Sequence, residues 1–392
     1  MTLHEQLQGI LDRGVASGDV VGATVQVIGP DETLFVGAAG LRSSVSGAAM
    51  EPDTVCWIAS MTKAITGLAA MQQVEKGNLG LDTPAKEILP QLAEIGVLTG
   101  FDDAGQPTVR PPKRDVTLRH LLTHTAGFGY DIWSAELGRY LEATGTPGVI
   151  SCENKALTVP MLFDPGDQWM YGTNIDYAGK MVEAVCGTSL GDYMARHIFI
   201  PLGMDSTGFK ITDDMRSRLS DMHARLEDGS LTPMEFEIPQ DPEFQMGGGG
   251  LYSTVGDYVE FLRLFLNRGQ AGETQVVRPE TVDQMVVNNM GDLRVELLKT
   301  AVPGYSHDAE FFPGLEKSWG LTFQINEQPA PTGRPAGGLM WAGLANSFYW
   351  IDLQNRIAGC YISQIVPFAD PRTYQLFLDI ETAVYADLAV SA

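Results

Sequence analysis

Segments with the character of β-strands occur at both ends of this chain, and a longer, mainly helical stretch separates them. Five segments combine apolar and β-branched residues over strand-like lengths: 21–28, 33–39, 321–326, 348–352 and 357–365. Short turns at 29–31 and 353–356 join the first pair and the last pair. Hairpins of this kind connect antiparallel strands, whereas parallel strands need long crossovers. The sequence therefore predicts an α+β fold, in which both chain ends contribute to one antiparallel sheet flanked by helices.

The predicted helices suggest two domains. Apolar periodicity and helix-stop signals indicate helices over 3–17, 61–75, 117–123, 174–186, 189–197, 254–267 and 371–389. We expect residues 1–80 and 250–392 to form a sandwich domain around the sheet. Residues 81–249, which contain many Pro and Gly, are expected to form a mainly helical inserted domain and the other wall of a cleft.

The composition indicates an acidic globular protein. Its formal net charge of −23 disfavours nucleic acid as a partner, because nucleic-acid binding needs basic patches that replace counterions. Neither a signal peptide nor a run of about 18 apolar residues is visible, which predicts a cytoplasmic protein without membrane insertion. The four cysteines are far apart, so we expect buried free thiols. No histidine pair has metal spacing, and we expect neither a metal nor a cofactor.

The tetrad Ser60-Met61-Thr62-Lys63 is the central chemical signal. At the start of a helix, residues three apart share one face, so the hydroxyl of Ser60 and the amine of Lys63 can meet. A serine needs such a partner to become a nucleophile. The helix N terminus also offers a free N–H to an oxyanion, and its dipole favours a neutral lysine. The tetrad alone also fits a helix N terminus with a solvated lysine.

Four further segments give the tetrad its context. They are Leu-Leu-Thr-His-Thr-Ala-Gly-Phe at 121–128, Pro-Gly-Asp-Gln-Trp-Met-Tyr at 165–171, Pro-Leu-Gly-Met at 201–204 and Gly-Gly-Gly-Gly-Leu-Tyr-Ser-Thr at 247–254. Together with the tetrad they resemble class C β-lactamases and, more closely, the family VIII carboxylesterases that share their fold. The resemblance extends from about residue 10 to residue 385 and implies a β-lactamase-like fold.

The resemblance also implies catalytic roles. Ser60 would be the acylated nucleophile and Lys63 its proton partner. Tyr171 would act as a base toward Ser60 or as an acid toward the leaving group, although a packing tyrosine is the alternative. Which of Lys63 and Tyr171 is the resting base stays open, because such groups titrate as a coupled pair. The backbone N–H groups of Ser60 and Leu344 would form the oxyanion hole.

The chain departs from the β-lactamase pattern at two positions. Where that pattern has an asparagine two residues after the tyrosine, this chain has Thr173, and Asn174 follows one residue later. We expect Asn174 to line the cleft. Where the pattern has Lys-Thr-Gly, the chain has Trp341, Ala342 and Gly343, a variant of the esterases' Trp-Gly-Gly. An aromatic ring in place of the cation favours neutral esters, because a buried carboxylate without a partner is costly.

Other segments have less specific interpretations. Phe128, Tyr130 and Trp133 are predicted to line the acyl or alcohol pocket, with simple packing as the alternative. Ser189 lies in a Gly-x-Ser-x-Gly sequence, but a helical run precedes it, so it is predicted to cap a helix. His124 lies in an apolar turn and is interpreted as structural. The glycine run at 247–250 lacks the lysine of a phosphate-binding loop and predicts a tight turn beside the cleft.

The sequence therefore predicts a serine carboxylesterase that hydrolyses small-molecule, short-chain esters, as a monomer or homodimer. Weak β-lactamase activity is compatible with the shared acylation chemistry. The alternatives on the same fold are a β-lactamase, a D-amino-acid peptidase or an acyltransferase. An alternative of another class is a non-catalytic relative that serves as a binding or scaffolding surface. The presence of Ser60, Lys63 and Tyr171 together disfavours that class.

Overall fold

The computed structural model of the chain describes residues 2–391. Within them the strands are β1 Gly22–Ile28, β2 Thr33–Gly40, β3 Cys56–Trp57, β4 Val97–Phe101, β5 Pro107–Arg110, β6 Met222–Arg225, β7 Leu231–Met234, β8 Tyr252–Ser253, β9 Gln270–Ala271, β10 Thr274–Gln275, β11 Lys317–Trp319, β12 Gln324–Asn326, β13 Leu339–Gly343, β14 Ser347–Asp352, β15 Ile357–Ile362 and β16 Ile365–Val366.

The helices begin near the N terminus and end with the longest one. They are α1 Leu3–Ala16, α2 Thr62–Glu75, α3 Leu118–Leu122, α4 Ala135–Thr144, α5 Asn174–Cys186, α6 Leu190–Met194, α7 Ile200–Leu202, α8 Asp213–Ser217, α9 Val255–Leu266, α10 Pro279–Met285 and α11 Pro371–Ser391. No helix within residues 2–391 combines the length and the apolar character needed to cross a membrane.

One seven-stranded sheet organises the molecule. Its strand order is β11-β12-β13-β14-β15-β1-β2, and every neighbouring pair is antiparallel. The two chain ends meet at the pair β1 and β15, where Thr24 lies opposite Ile362. The predicted α+β fold with an antiparallel sheet from both chain ends is confirmed.

Helices cover both faces of this sheet. Phe348 in β14 stacks on Phe377 of α11, with ring centroids 4.9 Å apart. The next residue, Tyr349, instead contacts Tyr258 of α9 at 5.3 Å. Successive side chains of a strand point to opposite faces, so α11 and α9 lie on opposite sides of the sheet. Helix α1 packs against α11 and β2.

Several predicted boundaries were wrong. The strand expected over 321–326 begins only at 324, and the one expected over 357–365 breaks after 362. Strands β11 and β13 were not predicted either. Strand β13 is continuously buried, so its sequence lacks the alternation of polar and apolar residues that would indicate a strand. The helix expected over 189–197 is α6 followed by a π-helical turn, Ala195–Phe199. The division into two domains stays a prediction.

Residues between α2 and α9 contain helices and small sheets. β4 pairs with β5, and β6 pairs with both β7 and β16. Helix α5 packs against α2 and α3. Helix α2 begins beside the sheet, and α5 belongs to this middle stretch. The contact between α2 and α5 therefore joins the sheet region to the residues between α2 and α9.

Candidate active site

Ser60 lies in a single 3-10 turn, Ala59–Met61, that leads from β3 into α2. Ala59 has a φ of 45°, a left-handed conformation that alanine rarely adopts. Backbone strain of this kind is found mainly at functional sites, where the surrounding structure holds it in place. The strained turn is thus a local sign that the position of Ser60 matters for more than packing.

The end of β13 approaches the same turn. At Gly343 a Cβ atom would lie 2.5 Å from the carbonyl oxygen of Ile58, so only glycine allows this approach. The next residue, Leu344, lines the same cavity as Ser60. This neighbourhood is what an oxyanion hole formed by the N–H groups of Ser60 and Leu344 would need, and that assignment stays a prediction.

Lys63 is buried on α2 beneath Ser60. Its Nζ donates hydrogen bonds to Ser60 Oγ at 3.1 Å, to Tyr130 Oη at 3.0 Å and to the Gly248 carbonyl oxygen at 2.5 Å. A lysine ammonium has three donors and no acceptor, so these contacts use all of its hydrogens. The hydroxyl and the amine meet as their spacing predicts, and Tyr130 joins them, which the sequence did not indicate.

The protonation of these groups follows from their burial. Desolvation lowers the pKa of Lys63 to about 7, and the negative charge of Asp176 opposes this shift. Desolvation raises the pKa of Asp176 to about 6, and Lys63 opposes that shift. It also raises the pKa of Tyr130 and of Tyr171 above the ordinary tyrosine value. Near neutral pH, Lys63 can therefore exchange a proton while both phenols retain theirs.

Tyr171 is buried beside Ser60 and Lys63. Hydrogen bonds with Ser60 and Trp341 partly oppose the rise in its pKa. The indole N–H of Trp341 donates to Tyr171 Oη at 2.8 Å. The ring centroid of Tyr171 lies 4.6 Å from Lys63 Nζ, which is a cation–π contact when the lysine is charged. The three predicted catalytic side chains thus form one cluster.

Trp341 is buried and contacts Tyr171. Only 3% of its surface is exposed, and it does not line the cavity that contains Ser60. It packs edge-on against Trp319 at 4.6 Å and directs its N–H at Tyr171. Trp341 therefore donates a hydrogen bond to the tyrosine hydroxyl, and the role of its ring as a wall that meets substrate stays a prediction.

The other predicted binding residues divide into two groups. Tyr130 and Trp133 line the cavity. Phe128 is buried and stacks on Tyr177, so it does not reach the lining. Asn174 is buried and donates to the Phe128 carbonyl oxygen at 3.0 Å, which removes it from the lining as well. Ala342 and Gly343 are buried within β13 and are absent from the lining.

The cavity above Ser60 has a volume of about 450 Å³. Its lining consists of Trp57, Ala59, Ser60, Tyr130, Asp131, Ile132, Trp133, Gly148, Val149, Ile150, Met234, Glu235, Phe236, Met246, Gly248, Gly249, Tyr305 and Leu344. Most of these side chains are apolar or aromatic, as in sites for small organic ligands. The charged members of this lining are two carboxylates, Asp131 and Glu235, and it includes neither lysine nor arginine.

The glycine run supplies part of both the cavity and the cluster. The N–H groups of Gly249 and Gly250 bond to the carbonyl oxygen of Met246, which confirms the predicted tight turn. Gly248 and Gly249 line the cavity. The sequence could identify the turn but not its partner, because the carbonyl oxygen that receives Lys63 belongs to a residue 185 positions away.

The structure separates the remaining sequence signals from the cluster. Ser189 caps α6 by accepting the N–H of Asp192 at 3.1 Å, as predicted. His124 is fully buried, its Nδ1 lies 3.0 Å from Asn174 Nδ2, and burial lowers its pKa well below the ordinary value. Cys56, Cys152, Cys186 and Cys360 are free thiols, three of them buried.

Comparison with known proteins places this chain in a family. The family described as Beta-lactamase matches residues 7–383. The monacolin J acid methylbutanoyltransferase of Aspergillus terreus is 32% identical over 351 residues, which cover 86% of this chain and 83% of that protein. The lovastatin esterase of Penicillium rubens is 32% identical over 379 residues, which cover 92% of this chain and 91% of that protein.

Solved structures agree with this assignment. The unliganded simvastatin synthase of Aspergillus terreus, in its selenomethionyl form, superposes with a TM-score of 0.83 at 29% identity over 97% of both chains. EstCE1, a hydrolase with promiscuous acyltransferase activity, superposes with a TM-score of 0.78 at 22% identity over 98% of both chains. The second likeness shows a common fold.

Proposed function

This chain belongs to the Beta-lactamase family and is a serine enzyme of the hydrolase and acyltransferase type, and from that premise we propose that it cleaves carboxylic esters through an acyl-Ser60 intermediate. The observation that carries the proposal is the 3.1 Å hydrogen bond between Lys63 Nζ and Ser60 Oγ at the end of an apolar cavity. The nucleophile and its base are then in contact, and the cavity beside them has room for a substrate.

Acylation begins with the proton of Ser60. Lys63, in its neutral form, accepts that proton as Oγ attacks the ester carbonyl carbon. The carbonyl oxygen becomes an oxyanion between the N–H groups of Ser60 and Leu344. One such donor typically contributes about 3 kcal/mol to the transition state. The pKa of about 7 lets Lys63 act as this base at neutral pH, where an ordinary lysine is charged.

Release of the alcohol needs an acid. The hydroxyl of Tyr171 donates its proton to the leaving oxygen, because its raised pKa keeps it protonated. The Lys63 ammonium, 4.6 Å from the tyrosine ring centroid, stabilises the phenolate until water attacks the acyl-enzyme. The acyl group then remains on Ser60, and water attacks it in the reverse sequence of proton transfers.

The substrate is proposed to join a short acyl group to a bulky, apolar alcohol. The cavity of about 450 Å³ has the size that drug-sized ligands occupy, which is more than an acetyl or butyryl group fills. Asp131 and Glu235 are the charged lining residues, so a carboxylate on the substrate would meet like charges. Neutral esters are therefore favoured over β-lactams, which carry a carboxylate.

Turnover of chromogenic substrates tests this proposal. Wild type and Ser60→Ala are incubated with p-nitrophenyl acetate, butyrate and octanoate, and in parallel with the cephalosporin nitrocefin. We expect fast turnover of the short esters, slow turnover of nitrocefin and loss of both in Ser60→Ala. Comparable kcat/KM for nitrocefin would instead favour a β-lactamase. Esterase activity that persists in Ser60→Ala would overturn the proposed nucleophile.

Acyl transfer to an alcohol is a second candidate function. The space beyond the acyl group favours it, since a bound alcohol there could exclude the attacking water. Relatives described as a methylbutanoyltransferase and an acyltransferase are compatible with it. A bulky cyclic alcohol added to the p-nitrophenyl butyrate assay distinguishes the two. Formation of its butyryl ester supports transfer, whereas unchanged release of butyrate supports hydrolysis.

A further inference from the structure

The carboxylate of Asp176 lies in the first turn of α5 and takes part in none of the steps above. Only 1% of its surface is exposed. Its Oδ1 accepts the N–H of Gly248 at 2.8 Å, and its Oδ2 has no hydrogen-bond partner among the described residues. Burying a carboxylate with an unpartnered oxygen is costly, so a compensating charge is expected nearby.

Gly248 connects this carboxylate with the lysine. Its N–H bonds to Asp176, and its carbonyl oxygen accepts the 2.5 Å hydrogen bond from Lys63. Hydrogen bonds in such a chain polarise and strengthen one another in a medium of low dielectric constant. A Cβ atom at position 248 would lie 2.5 Å from Asp176 Oδ2. The glycine therefore allows the carboxylate to approach the backbone that holds Lys63.

The other titratable groups around this pair are uncharged near neutral pH. Four phenol or thiol groups interact electrostatically with Asp176, and burial raises the pKa of each of them: Tyr130, Tyr171, Tyr177 and Cys152. His124 senses the charge of Lys63, and its pKa is lowered well below the ordinary value. The two charges that balance each other at this place are thus those of Lys63 and Asp176.

We propose that Asp176 is a positioning residue that controls the nucleophile from a distance: through Gly248 it orients Lys63 and sets the pH at which the lysine releases its proton. The inference rests on the proposed function, in which neutral Lys63 accepts the proton of Ser60. A nearby anion favours the protonated lysine, so removal of the carboxylate lowers the pH at which Lys63 becomes neutral. On the low-pH side of the profile of Ser60 reactivity against pH, the reactivity rises as Lys63 loses its proton. This part of the profile, the acidic limb, should then shift to lower pH.

The rate of labelling by an alkyl fluorophosphonate measures this limb without knowledge of the natural ester. The second-order rate constant for modification of Ser60 is determined between about pH 5 and pH 9, with the site of labelling checked by mass spectrometry. For Asp176→Asn we expect the acidic limb to move down by about 1 pH unit. Asp176→Glu, which restores the charge, should return the limb toward that of wild type.

Asp257→Asn is the matched control. Asp257 also lies in the first turn of a helix, accepts a backbone N–H and has a pKa raised by burial, but it bonds to Ser206 and Thr207. Its replacement should leave the limb in place. If Asp176→Asn does not fold, Gly248→Ala displaces the same carboxylate and is expected to shift the limb in the same direction.

Two results would overturn the inference and are distinguishable from failure of the proposed function. If the acidic limb stays in place in Asp176→Asn while Ser60 is still labelled, Asp176 does not set the protonation of Lys63, and the proposed function is unaffected. Equal loss of rate at every pH in Asp176→Asn and Asp176→Glu indicates a merely structural carboxylate. If wild-type Ser60 is not labelled at any pH, the proposed function itself fails.

Discussion

The two ends of the cleft differ in almost every physical property. At the closed end, Lys63, Tyr171 and Asp176 are buried, polar and connected by hydrogen bonds and charge. At the open end, the side chains of Trp133 and Phe236 are apolar and only half buried. Preorganised polar groups act most strongly where water is excluded, whereas an apolar wall recognises shape and hydrophobicity.

Chemistry and selectivity therefore depend on different parts of the chain. The closed end is supplied by α2, α5 and the glycine turn, all of which pack tightly against one another. Much of the open wall comes from the segments 130–133 and 148–150 and from residues 234–236 at the end of β7. Changes at the closed end should therefore lower kcat, and changes at the open end should alter KM and substrate preference.

Lys63→Met should give the largest effect on kcat among the variants of this comparison. Methionine has similar length but cannot accept the Ser60 proton, and we expect kcat to fall by about 10³-fold. Steady-state hydrolysis of p-nitrophenyl butyrate measures this, with thermal unfolding as the check on folding. Activity within tenfold of wild type would show that Lys63 is not the base and would give that role to Tyr171.

Trp341→Phe tests the support of the tyrosine hydroxyl. Loss of the indole N–H removes the 2.8 Å hydrogen bond to Tyr171 Oη, and we expect about a tenfold lower kcat with little change in KM. Trp319→Phe is the matched control, because that ring touches the same cluster while its N–H has no hydrogen-bond partner among the described residues. Equal losses in both variants would mean that packing alone matters.

Phe236→Ala tests the open wall. Phe236 packs on Trp57 at a centroid distance of 4.5 Å and lines the cavity. Its truncation should raise KM about fivefold for esters of bulky alcohols, because part of the apolar contact area is lost. The kcat for p-nitrophenyl acetate should stay unchanged. A large fall in that kcat would contradict the separation of the two ends.

Glu235→Lys should give the smallest effect. Glu235 is exposed at the cavity, where water and salt screen its charge. We expect about a threefold gain in kcat/KM for a negatively charged ester, and no change for its neutral analogue. The gain should disappear at high ionic strength. A gain that persists in high salt would show that the lysine acts by contact and not by charge.

The closed end could be predicted in part from the sequence. Ser60 and Lys63 are close in the chain, so helical geometry alone brings them together. Tyr171 required the resemblance to a family, because nothing local connects residue 171 with residue 60. The positions of Gly248 and Asp176 near Lys63 could not be predicted, since both positions depend on how α5 and the glycine turn pack against α2.

The open end and the strand β13 were harder to predict. Phe128, Tyr130 and Trp133 belong to one short segment, yet only the last two line the cavity. A hydrophobic residue in a loop gives no sign of whether it faces a cavity or a core. Trp341 was placed by analogy with a cation, but its rigid ring fits among Trp319 and Phe311 and not at the surface.

The pairing of Thr24 with Ile362 has a consequence for biosynthesis. During translation the hairpin of β1 and β2 emerges more than 300 residues before its partner β15, so one edge of the hairpin stays unpaired until residues 357–362 have been translated. Such distant pairings also form slowly. A nascent or truncated chain that lacks residues beyond 352 would therefore be inactive. Its β1 edge would be unpaired and could pair with strands of other chains. Production of this protein should respond strongly to chaperones and to translation speed.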